Sequence, residues 1–376
     1  MTKVSSEGGR AAYIYRSLAL LKLGRLEDAL ASTDELLSFA PETRGVWFQR
    51  GHILTQMKRI GDAEKAMLHG IELEPENAAG LREIIDLYRL QMRDYTQAES
   101  YCERLIALHP NDGANWKLKG DILCGREDYR SAASAYERAL ALCANDAVST
   151  VDVWHSYGSM LIFLGRFGEA LAAFDKGVAI VSGRVRPING RGIILSRIGR
   201  HEAALAWYEA ALHIKPTVAL LSNKAEALAS LGRLDEADAV LDEAAALEPD
   251  AMGVWAVRGI VATRRGQHDE ALAAFNRAMT LDPRHAPNYV ELARLLLTLG
   301  DVEHAHEVAE RARALDPCNA AAWEVTAQAS RAAGRTEEAS AAEKRGAALL
   351  AEQTAEVDAW LRAREARGEP ATPPPD

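Results

Sequence analysis

Cysteine is scarce in this chain of 376 residues. Its four cysteines, Cys102, Cys124, Cys143 and Cys318, make no C-x-x-C pair and no zinc-like spacing. Neither a disulfide framework nor a structural metal is expected; three of the thiols fall inside helical patterns and read as buried and reduced. Aromatic residues are only 6% of the chain, which leaves core filling to Ala and Leu, whose helix propensity is high. No run approaches the ~18 apolar residues of a membrane span. The first nine residues hold no apolar stretch resembling a secretory signal. Basic runs are also missing: 44 Lys and Arg stand against 54 Asp and Glu, a formal charge of −10. Nucleic-acid affinity rests on clustered Lys and Arg, so that class of partner is excluded as the main one. The expectation is a cytoplasmic protein that uses neither nucleic acid nor membrane.

Signatures of chemistry are missing as well. There is no G-x-S-x-G elbow and no H-E-x-x-H. His304 and His306 are two residues apart, so on a helix they point to different faces and cannot chelate together as an i, i+4 pair would. Gly190-Arg191-Gly192 lacks a preceding strand and a phosphate-loop lysine. Asp235 and Glu236 open a helix on a wet side, where nothing would raise their pKa for acid catalysis. No catalytic, cofactor-binding or metal-ligating residue is expected.

What the chain does have is a stride. Ala29, Ala63, Ala98, Ala132, Ala170, Ala204, Ala237, Ala271, Ala305 and Ala339 are separated by 34, 35, 34, 38, 34, 33, 34, 34 and 34 residues. A period held this long marks a repeat architecture built to present surface. In the unit numbered from Met252, the marked residues are Trp255, Gly259, Gly266, Ala271, Phe275, Ala278 and Pro283, at positions 4, 8, 15, 20, 24, 27 and 32. Trp47, Trp116, Trp154 and Trp323 recur at position 4, with Tyr13 and Tyr289 as stand-ins. Positions 4, 8 and 11 share one helix face. Gly or Ala at position 8 faces Ala at position 20, permitting a short interaxial distance. Gly at position 15 reads as a left-handed C-cap, followed by acids in the first turn of a second helix. Pro at position 32 stops that helix.

These columns resemble the tetratricopeptide repeat, a 34-residue helix–turn–helix. Ten units in register cover about residues 10–353. The resemblance implies an all-α, right-handed superhelical solenoid of about ten repeats that binds peptides or helices of protein partners on its concave face. One subclass grips a carboxylate with Lys and Asn at positions 5 and 9. Here Lys117 is followed by Asp121, which would repel a carboxylate, so that clamp is not supported.

Residues 1–9 and 368–376, the latter Pro-rich, are expected to be flexible, and residues 354–367 to form a capping helix that shields the last repeat. The stride of 38 near residues 143–150 reads either as a hinge or as a longer connection with unchanged stacking. Positions 2, 5, 9, 12 and 13 of the first helices form a second stripe, which by the resemblance lines the groove. It predicts His52, Gln56, Lys117, Asp121, His155, Ser159, Phe163, Asn189, Arg197, Ser222, Glu226, Arg264 and Arg294 as binding residues, with Glu324, Gln328 and Arg331 beyond them. Arg197, Arg264 and Arg294 would make an acid-binding wall. Basic residues at position 7, namely Arg50, Lys119, Arg191, Lys224 and Arg258, either lay their stems on apolar surface with the heads in water or form a basic ladder. The reading is a non-enzymatic interaction scaffold or adaptor. Its alternative is an accessory subunit recruiting substrates to a separate glycosyltransferase, peptidase or kinase; self-association through solenoid ends or convex faces is a third use.

Overall fold

The computed structural model describes residues 7–143, 146–180 and 185–369, with the backbone alone for Glu7, Gly8 and Arg186. The segments expected to be flexible fall largely outside that range, at 1–6 and 370–376, as do 144–145 in the long connection. Two compact units divide the chain, Met1–Val153 and Trp154–Asp376. The first holds α1 (Glu7–Lys22), α2 (Leu26–Phe39), α3 (Val46–Gln56), α4 (Ile60–Leu73), α5 (Ala78–Asp86), α6 (Tyr95–Leu108), α7 (Gly113–Gly125) and α8 (Tyr129–Cys143). A π-helical turn over Leu87–Met92 extends α5. Helix α9 (Ala147–Phe163) leads into the second unit, which continues with α10 (Phe167–Ile180), α11 (Val185–Arg197), α12 (His201–Ile214), α13 (Val218–Ser230) and α14 (Leu234–Leu247). Then follow α15 (Met252–Arg264), α16 (His268–Leu281), α17 (Ala286–Leu299), α18 (Val302–Leu315), α19 (Ala320–Ala332) and α20 (Thr336–Ala366). No strand occurs among the described residues. Each unit is the all-α stack of helix pairs that the period predicts.

Within a repeat, the two helices meet over a small-residue column. Every position-20 alanine from Ala29 to Ala305 is 0% exposed and Ala339 is 1% exposed. Opposite it, a Cβ added at Gly120, Gly158, Gly192 or Gly259 would lie 2.6, 2.5, 2.4 or 2.7 Å from the ring of Tyr136, Phe174, Tyr208 or Phe275. The position-24 side chain thus fills the space that the position-8 glycine leaves. At Gly51 the same space is taken by Met67, whose Cγ would be 2.5 Å from an added Cβ.

The turn between paired helices needs one residue at positive φ. Gly24, Gly165, Gly199, Gly232, Gly266, Gly300 and Gly334 supply it, with φ between 71° and 81°. The following amide reaches back to close the helix, as in Arg25 N donating to Leu20 O at 3.0 Å. Repeats two to four place Lys58, Arg93 and Glu127 at this position, with φ of 61°, 56° and 66°. The same bond forms after Lys58 and Glu127, with Arg59 N donating to Leu54 O at 2.9 Å, and after Arg93 the Asp94 amide reaches one residue further, to Tyr88 O, so closure geometry overrides residue preference at a cost of about 1 kcal/mol each.

Junctions between repeats carry a second recurring contact. The position-7 base pairs with an acid at position 25 of the preceding repeat: Arg50 with Asp34 at 2.6 Å, Lys119 with Glu103 at 3.2 Å, Lys224 with Glu209 at 3.1 Å, and Arg258 with Asp242 at 3.7 Å. Arg191 pairs with Asp175 in the same way. Arg50, Lys119 and Arg258 also sit over the position-4 rings of Trp47, Trp116 and Trp255 at 5.9, 5.8 and 5.5 Å. These residues therefore act as inter-repeat staples. They form no free basic ladder, and their heads are matched by carboxylates rather than left to water alone. Position 4 contributes a third contact. Trp47, Trp116 and Trp323 Nε1 donate to the carbonyls of Pro41, Pro110 and Pro317, at 2.7, 2.9 and 2.7 Å.

The C-terminal segment differs from the expected separate cap. Ala351 stands where proline follows seven of the other nine second helices, and α20 runs unbroken for 31 residues. Its distal half does not simply shield the last repeat but returns to the start of the second unit. Trp360 Nε1 donates to Asp175 Oδ2 at 2.7 Å, Arg364 lies 3.3 Å from Asp175, and Glu356 accepts from the Gly168 amide at 2.7 Å. Arg200 pairs with Asp358. Val357 is fully buried and Trp360 is 7% exposed. The second unit is thereby closed on itself.

Two measurements test these assignments. Lys58→Gly and Glu127→Gly should each raise the denaturation midpoint by an amount worth about 0.5 kcal/mol, the relief of left-handed strain less the entropy of a freer unfolded chain. Lowered midpoints for both would contradict the strain. Trp360→Ala should accelerate amide exchange in α10 and over residues 353–366 while leaving α13 and α15 protected. Unchanged exchange in α10 would refute the closure.

Candidate functional site

At about 100° per residue, positions 2, 6, 9 and 13 of a first helix fall within roughly 60° of one another, whereas position 5 lies about 70° from their mean direction, toward the neighbouring repeat. Burial at position 5 is deep in three repeats of the second unit, although Ala256, Val290 and Glu324 at that position also border the cavity described below. Ser222, Ala256 and Val290, all at position 5, are 5%, 7% and 2% exposed. Ser222 is thus corrected from a groove residue to a packing one: its Oγ would stand 2.9 Å from a Cβ added at Gly253. Asn223, one residue on, takes its place on the open side.

In the second unit the stripe lines a cavity of about 850 Å³. Arg197, Glu226, Arg264, Arg294, Glu324, Gln328 and Arg331 all border it. Asn189 is tied to the lining by Asn223, whose Nδ2 donates to its Oδ1 at 2.9 Å. Residues not foreseen from sequence are Asn223, His285, Glu291 and a wall from α20 that includes Glu343, Gly346 and Leu350. That wall turns an open groove into a partly enclosed space.

The anticipated row of three free arginines is not what the side chains form. Arg197 pairs with the buried Asp316, 119 residues later, and so braces the ring across its interior. Arg294 is held by Glu291 at 2.7 Å and Glu324 at 3.3 Å, and Arg331 by Glu343 at 2.6 Å. Arg264 has no carboxylate partner among the described residues. The Glu226 carboxyl is pushed up to about 7, chiefly by loss of water and then by the Glu291 charge, against the pull of Arg197. Burial depresses His285; burial and the nearby Arg264 charge depress His201.

In the first unit, His52 Nδ1 meets Glu83 Oε2 at 3.1 Å and Gln56 Nε2 lies 2.9 Å from His52 Nε2. The hydrogen bond to Glu83 raises the His52 pKa. Lys117 Nζ donates to Asp121 Oδ2 at 2.8 Å, and Tyr136 OH donates to the other oxygen at 2.8 Å. The structure brings together His52 with Gln56 and Lys117 with Asp121. It places His155, Ser159 and Phe163 on α9, outside the cavity lining; the His155 ring lies 6.0 Å from Phe174, Ser159 is half-buried and Phe163 is 55% exposed.

All four cysteines are free, and burial raises the thiol pKa of each, to about 12 for Cys102 and about 11 for Cys124. His304 and His306 do not share a site. His304 turns to Asp301 at 2.8 Å, whereas His306 faces Glu338 at 3.1 Å with the Arg335 guanidinium 2.9 Å from its ring. Glu310 joins His306 and Glu338 to give three ligand-type atoms within 4.8 Å. The i, i+4 relation of His306 and Glu310 was legible in the sequence; Glu338 from the next helix was not. No helix among the described residues is long and apolar enough to cross a membrane.

Similarity to known proteins runs along the same columns. Tetratricopeptide repeat models match residues 45–77, then 87–147, 117–185, 161–219 and 222–286, and finally 262–329. The general transcriptional corepressor trfA of Dictyostelium discoideum is 24% identical over 126 residues, 33% of this chain; the match spans 9% of the corepressor's length. The structure of MamA, residues 41 to the end, from Desulfovibrio magneticus RS-1 aligns with 46% of this chain and 94% of its own at 19% identity and a TM-score of 0.40. Yeast Tom70 aligns with 97% of this chain and 90% of its own at 16% identity and a TM-score of 0.43. With family models matching in register over more than half of its length, the chain belongs to the tetratricopeptide repeat family.

Proposed function

We propose that this protein is a non-enzymatic interaction scaffold, and that the inner face of its second unit holds a short segment of a protein partner. The observation that carries the reading is the uneven state of the cavity cations. Arg197, Arg294 and Arg331 are matched by internal carboxylates, while Arg264 is not. An exposed guanidinium with no carboxylate partner, on a cavity that the amide of Asn223 also lines, suits a carboxylate or a carbonyl of an extended segment. A cavity of about 850 Å³ is in the range of ordinary ligand sites.

Catalysis is disfavoured by the same electrostatics. Ser196 Oγ and His201 Nδ1 approach to 3.2 Å in the cavity wall. Activating a serine needs a base whose imidazolium is stabilised by a carboxylate. His201 instead faces the Arg264 charge, which together with burial makes it a weaker base. The scaffold reading leaves open recruitment to a separate enzyme, which is a choice of partner and not of mechanism.

Quantitative affinity purification with the wild-type chain and with Arg264→Glu tests the reading. Partners held in the cavity should be depleted at least tenfold by the reversal, whereas an unchanged set of partners in unchanged amounts would reject the site. Arg197 is unsuitable for this test because its reversal would break the Asp316 brace.

Glu226 gives a test that needs no partner. Its folded pKa, about 7, lies above its ordinary value of 4.5, so the folded state binds the proton more tightly than the unfolded one. The stabilisation is present in full below about pH 4.5 and is lost as pH rises through about 7. The melting midpoint of the second unit should therefore decline between about pH 5 and pH 8, and Glu226→Gln should flatten that decline. Identical pH profiles for wild type and variant would show that Glu226 is not so enclosed.

A further inference from the structure

The junction contacts repeated along the chain specify what would fit the outer face of α1. At positions 3 and 10 of later repeats the side chains are buried against the preceding repeat: Val46 and Ile53 are 1% and 0% exposed, Asn115 and Ile122 both 0%, and Val254 and Val261 0% and 2%. The matching residues of the first repeat, Ala12 and Ala19, are exposed, and Leu23 beside them is 72% exposed. No described helix covers this side. Between them stands Arg16 at position 7. Its side chain is 61% exposed, whereas the stapled bases Arg50, Lys119, Arg191, Lys224 and Arg258 are 24%, 22%, 4%, 24% and 36% exposed.

Two contacts made at complete junctions are unfulfilled here. Arg16 should meet a position-25 carboxylate and the position-4 donor should meet a position-32 carbonyl. Both fall back on Glu35 of their own repeat: Arg16 approaches it only to 3.9 Å, and Tyr13 OH donates to it at 2.9 Å. At two junctions both contacts are complete, Asp34 and Pro41 serving Arg50 and Trp47, and Glu103 and Pro110 serving Lys119 and Trp116. In each, the carboxylate lies seven residues before the accepting carbonyl. Between residues 8 and 22, α1 carries Arg10, Arg16 and Lys22 and no acid, in a chain whose net charge is −10. The face thus sets one exposed cation, Arg16, among small and apolar side chains.

We infer that the outer face of α1 docks an amphipathic helix of another polypeptide, one with small apolar side chains along one side and a carboxylate seven residues before its terminal carbonyl. The carboxylate displaces Glu35 from Arg16, and the carbonyl accepts from Tyr13 OH. Ala12 and Ala19 let the incoming helix approach as closely as the second helices do at internal junctions. This surface is separate from the cavity of the second unit, and its occupancy does not depend on the proposal made for that cavity.

The probe is a fluorescent, C-terminally amidated peptide copying residues 234–249, in which Asp242 precedes Pro249 by seven residues. Titrated with the full chain, it should bind saturably. Arg16→Glu should weaken binding at least tenfold, and the peptide with Asp242→Lys should lose binding to the wild-type chain and regain it with Arg16→Glu. The exposure of Arg16 leaves the fold intact in that variant, which an unchanged helical melt verifies. Absence of saturable binding, or binding indifferent to Arg16, overturns the proposal. A concentration-dependent dimer abolished by Leu23→Glu would assign the face to a second copy and overturn it too. So would co-sedimentation with phosphatidylserine vesicles in the absence of peptide binding.

Discussion

The hydrogen atom that glycine carries in place of a side chain at Gly120, Gly158, Gly192 and Gly259 lets a ring from one helix lie against the backbone of its partner. That close approach sets the spacing of each hairpin, and the hairpin spacing sets where position 7 of one repeat meets position 25 of the one before. Overpacking the contact by a single methyl would cost about 1–3 kcal/mol, more than the ~0–1 kcal/mol that an exposed ion pair contributes. The staples therefore depend on the hairpins and not the reverse. Exposed ion pairs add little by themselves, but Arg50, Lys119 and Arg258 also lay a cation on an indole, and each pair settles which repeat follows which.

Much of this was readable from residues alone because a repeated constraint leaves a repeated mark. The alanine column, the ring opposite glycine and the left-handed turn each recur often enough that substitutions such as Lys58 or Glu127 do not hide them. The position-7 bases were visible too, and spacings of 15 or 16 residues, as between Asp34 and Arg50, are the mark their carboxylates leave in the sequence. Of the residues that line the cavity, Arg197, Glu226, Arg264 and Arg294 at positions 9 and 13 were legible in the sequence. Choosing position 5 over position 6 exchanged Ser222 for Asn223, a rotation of about 100° that moves a side chain from the open side into a junction.

What could not be read was anything made once. Arg197 and Asp316, or Asp175 and Trp360, are joined across more than a hundred residues with no period to announce them. The missing proline at Ala351 signalled a longer helix but not its destination. Even so, the docking of α20 reuses a familiar chemistry. Trp360 and Arg364 present an indole and a guanidinium to Asp175, and Arg191 already holds that carboxylate at the internal junction. The closure resembles an inter-repeat staple made by a helix from the far end.

Stacks of this kind ordinarily fray from whichever end is free, because each repeat touches only its neighbours. The return of α20 to α10 removes one such end from the second unit. Opening it anywhere must first break a loop, so partial melting loses the entropic advantage it has in a linear array. This half of the molecule is built to come apart all at once, holding a defined interior up to the temperature at which it holds none.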